Sequence, residues 1–187
     1  MTAGTRCAPA LPWGIALAVS AGGLGYLRPA SGSWGSLPPV GVVLLCVACG
    51  AESWMITVSL LLLVAFGSIA CVRFGRAAEE AFGAKDPSTV VADEVAGCAL
   101  TLAIIPWWIV APLGAESLGT AAVACAGGFF WFRLFDVWKP GFVRTLQDRP
   151  HGWGILLDDL GAAVFAWIPV IVGLAVALGS APPVAAP

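Results

Sequence analysis

Long apolar runs separated by short polar clusters organise this chain. Runs near the roughly 17 to 25 residues that cross a bilayer as a helix occupy Trp54 to Val72, Val95 to Leu113, Leu118 to Phe135 and Leu160 to Leu178. They predict four membrane spans. A fifth run, Leu37 to Gly50, is short, and its Pro38 and Pro39 stand at the start, where proline is tolerated in a helix. It reads as a short span or a re-entrant arm, paired with Trp54 to Val72 through a tight turn at Gly50 to Ser53. The run Leu11 to Leu27 has the look of a signal peptide, with Arg6 before it and Ala18-Val19-Ser20-Ala21 as a cleavage-like stretch. Glycines at 22, 23 and 25 interrupt it, however, and cleavage would send the next charged loop outward, against the charge bias described below. The expected fold is all-α: a polytopic membrane bundle forming one domain over 1–187, with residues 1–10 and 179–187 as flexible ends.

Composition agrees with that pattern. Of 187 residues, 59% are hydrophobic and only 11% charged, and mean hydropathy is +0.93, far from the balance of a soluble domain. The few cations are segregated. Arg28 precedes the first hairpin, Arg73, Arg76 and Lys85 follow it, and Arg133, Lys139, Arg144 and Arg149 surround the loop before the last run. Given the spans above, all three regions share one face, whereas the opposite turns at 50–53 and 114–117 carry Glu52 and Glu116 without a cation. Lys and Arg near span ends favour the cytoplasmic side, so the polar loops are expected to face the cytoplasm. The net charge of −2 adds little, and cations interleaved with Asp86, Asp93, Glu94, Asp136, Asp148, Asp158 and Asp159 do not make a nucleic-acid stripe. Five of the six cysteines sit inside apolar runs and read as small core residues. The Cys46-x-x-Cys49 pair lacks the second pair or nearby His that a metal site requires.

Candidate chemistry lies where acids meet the ends of apolar runs. Lys85-Asp86-Pro87 reads as a helix start, with Asp86 as N-cap and Pro87 in the first turn. In a helix continuing from there, Asp93 shares a face with Asp86, and Glu94 points about 100° away. Arg133 and Asp136, three apart, are neighbours on one helix face, and Asp158 and Asp159 stand at the start of the last span. Three acidic groups from three helices thus come to headgroup depth. Carboxylates gathered in this way suit a hard divalent ion such as Mg²⁺, which prefers oxygen and keeps room for a substrate phosphate. Simpler roles compete: Asp158 and Asp159 as helix caps complementing a dipole, Arg133–Asp136 as a surface ion pair, and His151 as a solvated loop residue. Clustering of acids at the membrane edge favours function.

Four stretches carry a resemblance to a known family: GLGYLRPASGSWGSLP at 23–38, AKDPSTVVADEVAG at 84–97, FRLFDVWKP at 132–140 and DRPHGWGILLDD at 148–159. In this order they resemble the phosphatidylglycerophosphatase A family of bacterial membrane phosphatases. The last stretch departs from the family's pattern at 151–156, where a glycine is replaced or lost and Leu156 stands for Met.

The resemblance implies a Mg²⁺-dependent phosphomonoesterase that converts phosphatidylglycerophosphate, a phospholipid substrate in the bilayer, to phosphatidylglycerol. It also implies that these motifs form the site, with Lys85, Asp86, Asp93, Glu94, Arg133, Asp136, Arg149, Asp158 and Asp159 as its residues. The expected assignment has Asp86, Glu94, Asp158 and Asp159 as metal ligands, and Asp93 and Asp136 as catalytic carboxylates. Lys85, Arg133, Lys139 and Arg149 would hold phosphate oxygens, and His151 is the candidate acid for the leaving glycerol oxygen. Attack by a metal-activated water and an aspartyl-phosphate route both stay open. Gly32, Gly35, Gly152 and Gly154 read either as backbone cradles for phosphate or as plain turns. Rival classes are a small transporter, which would keep ionisable groups at mid-bilayer, and a non-catalytic assembly protein, which would tolerate loss of Asp136 or Asp158. Nothing in the sequence points to a protein partner.

Overall fold

A computed structural model describes residues 11–111, 117–141 and 143–179. The turn residues 114–116 with Glu116, the end at 1–10 expected to be flexible and all but the first residue of the tail at 179–187 fall outside the described residues.

The described residues form helices joined by turns and loops, with no strand among them. In chain order they form α1 (Trp13–Val19), a 3-10 turn at Leu24–Tyr26, α2 (Ser31–Gly35), α3 (Leu37–Ala48), α4 (Ser53–Phe82), α5 (Ala92–Ala103), α6 (Trp107–Val110), α7 (Ser117–Trp138), α8 (Val143–Leu146) and α9 (Gly152–Gly179). Four segments among them are long and apolar enough to cross a membrane: Ser31–Ala48, Ser53–Phe82, Ser117–Trp138 and Gly152–Ala177. Three correspond to expected spans, and the fourth contains the short Leu37 to Gly50 run, extended at its start by α2.

The expected span at Val95 to Leu113 is different. Its helix stops after Ala103, and Pro106, which has no amide hydrogen to continue the ladder, introduces the single turn α6. Trp107 is fully buried there and its indole Nε1 donates to the Leu102 carbonyl at 3.1 Å, which closes the break. The broken segment is the centre of the bundle. Nine of the twelve α5 residues are buried, and α5 packs on α3, α4, α7 and α9.

Small residues let these helices meet closely. A Cβ on Gly67 of α4 would fall 2.3 Å from the Ala92 carbonyl, and one on Gly97 of α5 would fall 2.5 Å from the Phe132 ring. The core around them joins Val43, Ile56, Leu60, Leu102, Phe132 and Ala166. Leu61, Leu62, Phe66, Val123, Ile168 and Val172 face outward, as lipid-facing positions of a membrane bundle do. Exposed Trp54, Trp108, Trp138 and Trp153 mark helix ends, where indoles favour the interface.

Two local expectations are overturned. Asp86 does not cap a helix: it takes a left-handed φ of 51°, and α5 begins only at Ala92. Residues 87–90 turn, with the Val90 amide on the Pro87 carbonyl, and Val91 donates to the Val19 carbonyl at 2.9 Å. That tertiary bond draws the segment onto α1. Asp158 and Asp159 do not cap a helix either, since α9 starts at Gly152 and its first turn has no acid. The helix extends upstream because Gly152 fits against α4, where a Cβ would lie 1.8 Å from the Cys71 carbonyl.

Candidate active site

The ends of α5, α7 and α9 converge beneath the loop that leads into α2. Asp93 and Glu94 open α5 in its first turn, Arg133 and Asp136 occupy the last turns of α7, and Asp158 and Asp159 lie nearly two turns into α9. A cavity of about 310 Å³ sits among them. Ala30, Ser31 and Gly32 form one wall, Asp86, Ser88 and Val90 another, and Asp93, Glu94, Arg133, Asp136, Lys139 and Asp159 the remainder.

Consecutive residues in a helix point about 100° apart, and α9 uses this to divide its two acids. Asp159 turns to α5, where one carboxylate oxygen each from Asp93, Glu94 and Asp159 lies within 4.8 Å of the others. Asp158 turns to the α7–α8 corner, where it accepts a short hydrogen bond from the Lys139 ammonium and another from Gln147 Nε2 at 2.9 Å. Arg133 NH1 lies 2.6 Å from Asp136 Oδ2 and 4.0 Å from Glu94 Oε1. Asp136 Oδ1 is in turn 4.0 Å from the Lys139 ammonium. Asp136 is buried and Arg133 largely so, which sets the pair apart from an exposed surface ion pair.

Three oxygens stand out. Asp93 Oδ1, Glu94 Oε2 and Asp159 Oδ2 are buried with no hydrogen-bond partner, as is Glu79 Oε1 on α4, away from this cluster. Unpaired anionic oxygens withdrawn from water are costly, and the three belong to the three residues that converge. An all-oxygen set of this kind suits a hard divalent cation of the Mg²⁺ type, which takes a few carboxylates and leaves positions for water and phosphate.

At the pocket's margins two groups titrate abnormally. Desolvation raises the pKa of the Asp86 carboxyl where it faces the cavity, and the Asp158 carboxylate adds to the shift. Burial pulls the Lys139 ammonium down, but its hydrogen bond to Asp158 and the nearby Asp159 and Asp136 charges more than offset this, and its pKa is raised. Lys139 is therefore held cationic.

The remaining expected residues lie elsewhere. His151 and Lys85 line a neighbouring depression with Arg76, Glu79, Glu80, Gly83 and Ala84, and His151 Nδ1 is 3.3 Å from Glu79 Oε2. Arg149 lies exposed on the turn before α9. Of the four glycines read as possible phosphate cradles, Gly32 alone faces the cavity: a Cβ there would meet Glu94 Oε1 at 2.5 Å and Arg133 NH1 and NH2 at 2.8 Å. Gly35 packs on Val91, Gly152 on Cys71, and Gly154 on the Arg149 carbonyl. Sequence reasoning missed Ser31, Ser88 and Gln147. Ser88 stands beside the Asp86-Pro87 motif, whereas Gln147 carries no signal short of the folded α7–α8 corner.

Fold and site together define an integral membrane protein with an oxygen-rich, cation-flanked pocket at one end of its helices, an arrangement suited to a phosphorylated lipid. Residues 17–174 match the profile of the phosphatidylglycerophosphatase A family. A Haemophilus influenzae protein named phosphatidylglycerophosphatase A is 34% identical over 155 residues, covering 79% of this chain and 81% of that one. An Escherichia coli protein of the same name is 33% identical over 89 residues, 45% of this chain and 42% of its own. A Bacteroides thetaiotaomicron protein, provisionally named as a phosphatidylinositol-3-phosphatase, is 31% identical over 94 residues, 47% of this chain and 49% of its own. No solved structure matches the chain. The chain belongs to the phosphatidylglycerophosphatase A family, a family of phosphoric monoester hydrolases.

Proposed function

We propose that this enzyme hydrolyses the terminal phosphate monoester of phosphatidylglycerophosphate, yielding phosphatidylglycerol and inorganic phosphate. It does so with Mg²⁺, at the cytoplasmic face of a bacterial inner membrane. Family membership supports the reaction class, and the placement of cations at the site end of the helices supports the orientation. One observation carries the site assignment: three buried, unpartnered carboxylate oxygens from Asp93, Glu94 and Asp159 converge beside Arg133 and Lys139.

Asp93, Glu94 and Asp159 would hold the cation, with Asp86 at the rim. Bound there, Mg²⁺ supplies charge neutralisation to the phosphoryl oxygens. The chain's own residues do the rest. Phosphoryl transfer from a monoester needs positioning and charge neutralisation above all. Arg133, whose planar fork can grip two oxygens, is oriented by Asp136 at 2.6 Å. Lys139 is fixed over the cavity by Asp158, which Gln147 holds in turn; Asp158 acts here as the anchor of a phosphate-binding lysine. A water in line with the departing glycerol oxygen would lose its proton to a carboxylate of the cluster, with Asp93 the candidate, and that proton would pass on to the departing oxygen to give the free alcohol. Gly32 leaves the volume that the phosphoryl group occupies.

Protein purified in detergent and given phosphatidylglycerophosphate should release inorganic phosphate with added Mg²⁺ and cease on chelation. Activity at the wild-type level in both Asp93→Asn and Asp159→Asn would sink the site assignment. Absence of release from any lipid phosphate would sink the reaction.

A further inference from the structure

We propose that Arg28 is a specificity residue that binds the second, diester phosphate of the lipid. This rests on the lipid-phosphatase reading above and names what selects its substrate. The Arg28 guanidinium lies on the rim of the cavity: NH1 donates to Ser31 Oγ at 3.2 Å and NH2 to Ser88 Oγ at 3.0 Å. Both serines line the cavity wall. Arg28 thus bridges the two loops that close the pocket's mouth.

Its charge is uncommitted. Arg133 is paired with Asp136 and Glu94, and Lys139 with Asp158 and Asp136. Among the described residues, no carboxylate oxygen lies within ion-pairing distance of Arg28. A guanidinium carries five N–H donors, of which the two serines take two, and Arg28 is exposed. The remainder face solvent at the mouth of an anion site.

The loop is also held in place. Trp34 Nε1 donates to the Pro29 carbonyl at 3.1 Å, and Ser33 N donates to the Ala30 carbonyl at 2.9 Å. Gly25 sits against the Thr89 backbone so closely that a Cβ would fall 2.0 Å from its carbonyl oxygen. These contacts anchor Arg28 relative to the segment carrying Asp86 and Ser88.

A substrate with two phosphates joined by a glycerol spacer has a monoester for the carboxylate-flanked pocket and a diester for a cation at its rim. A lipid bearing only the monoester, such as phosphatidic acid, has nothing for Arg28 to hold. The test compares the detergent-purified enzyme with its Arg28→Gln and Arg28→Lys variants on phosphatidylglycerophosphate and phosphatidic acid, with Mg²⁺. Arg28→Gln should lower kcat/KM on the diphosphate lipid roughly tenfold to a hundredfold, the range for losing a charged hydrogen bond. The loss should appear mainly in KM, with kcat/KM on phosphatidic acid unchanged. Arg28→Lys should recover part of it. Equal loss on both lipids, or no loss on either, overturns the assignment. Wild-type enzyme inactive on both lipids would instead overturn the underlying reaction, and the unchanged phosphatidic acid arm reports that each variant is folded.

Discussion

Gly32 of α2 faces Glu94 of α5 so closely that a methyl group on Gly32 would lie 2.5 Å from Glu94 Oε1. The atoms it would meet are side-chain ends that can move, and moving them displaces Glu94, the proposed cation ligand, and Arg133, the proposed phosphate-binding arginine, together. Gly32→Ala should therefore lower activity at least about tenfold while changing stability by less than about 1 kcal/mol. Phosphate release and thermal unfolding in detergent, measured on the same preparation, check both halves.

Gly152 is the contrasting case. A Cβ there would meet the Cys71 carbonyl at 1.8 Å, and Gly75 lies just across, its own added Cβ 2.5 Å from Gly152 Cα. Both obstacles are backbone. Gly152→Ala should separate α4 from α9 and destabilise the bundle by about 3 kcal/mol or more, visible as a lower unfolding temperature whatever the ligand.

The clustered acids should trade stability for function. Neutralising Asp93 or Asp159 removes an unpartnered buried carboxylate, so Asp93→Asn and Asp159→Asn should melt higher than the parent in chelator. Mg²⁺ should raise the melting temperature of the parent but of neither variant, and both variants should lose nearly all activity. Melting curves with and without Mg²⁺ provide the check.

Lys139 and Asp158 form the tie between α7 and α9. Lys139→Met leaves Asp158 buried without a counter-charge, held only by Gln147 and the Asp159 backbone amide, and should cost roughly 3 kcal/mol, as breaking a buried pair does. Lys139→Met combined with Asp158→Leu should recover much of that stability and none of the activity. Because the Lys139 pKa is raised, its contribution is complete below the ordinary lysine value and is lost only as pH climbs past the folded one. The cost of Lys139→Met should thus be equal at about pH 6 and about pH 8.

His151 is bonded to Glu79 in the neighbouring depression. His151→Gln should keep activity within about tenfold, less than the loss of a positioned general acid. A larger loss with a shifted pH profile would bring His151 into the reaction.

Much of this was legible along the chain. Apolar runs announce membrane helices because a bilayer demands length and hydropathy and little else, and α4, α7 and α9 follow their runs. The acid-bearing motifs announce a site because charge at a membrane edge is costly without a purpose. What periodicity does not report is depth and partner. The Val95–Leu113 run is apolar throughout, yet Pro106 and the buried Trp107 turn it into a broken central element. Asp86 and Pro87 carry the local signature of a helix start, and the Val91–Val19 backbone bond overrides it. The four glycines looked equivalent, and only the fold separates Gly32, beside the cavity, from Gly35, Gly152 and Gly154, pressed against neighbouring residues.

The sequence by itself determined that this chain is a helical membrane protein whose polar chemistry gathers at helix ends, and by its motifs which family it joins. Those properties depend on residue type and spacing. Tertiary structure alone decided that Asp159 joins Asp93 and Glu94 while adjacent Asp158 holds Lys139. It alone separated His151 from that group and set Arg28 at the rim. Each is a relation between elements distant in the chain, set by how α5 is enclosed and how closely glycine lets its neighbours approach.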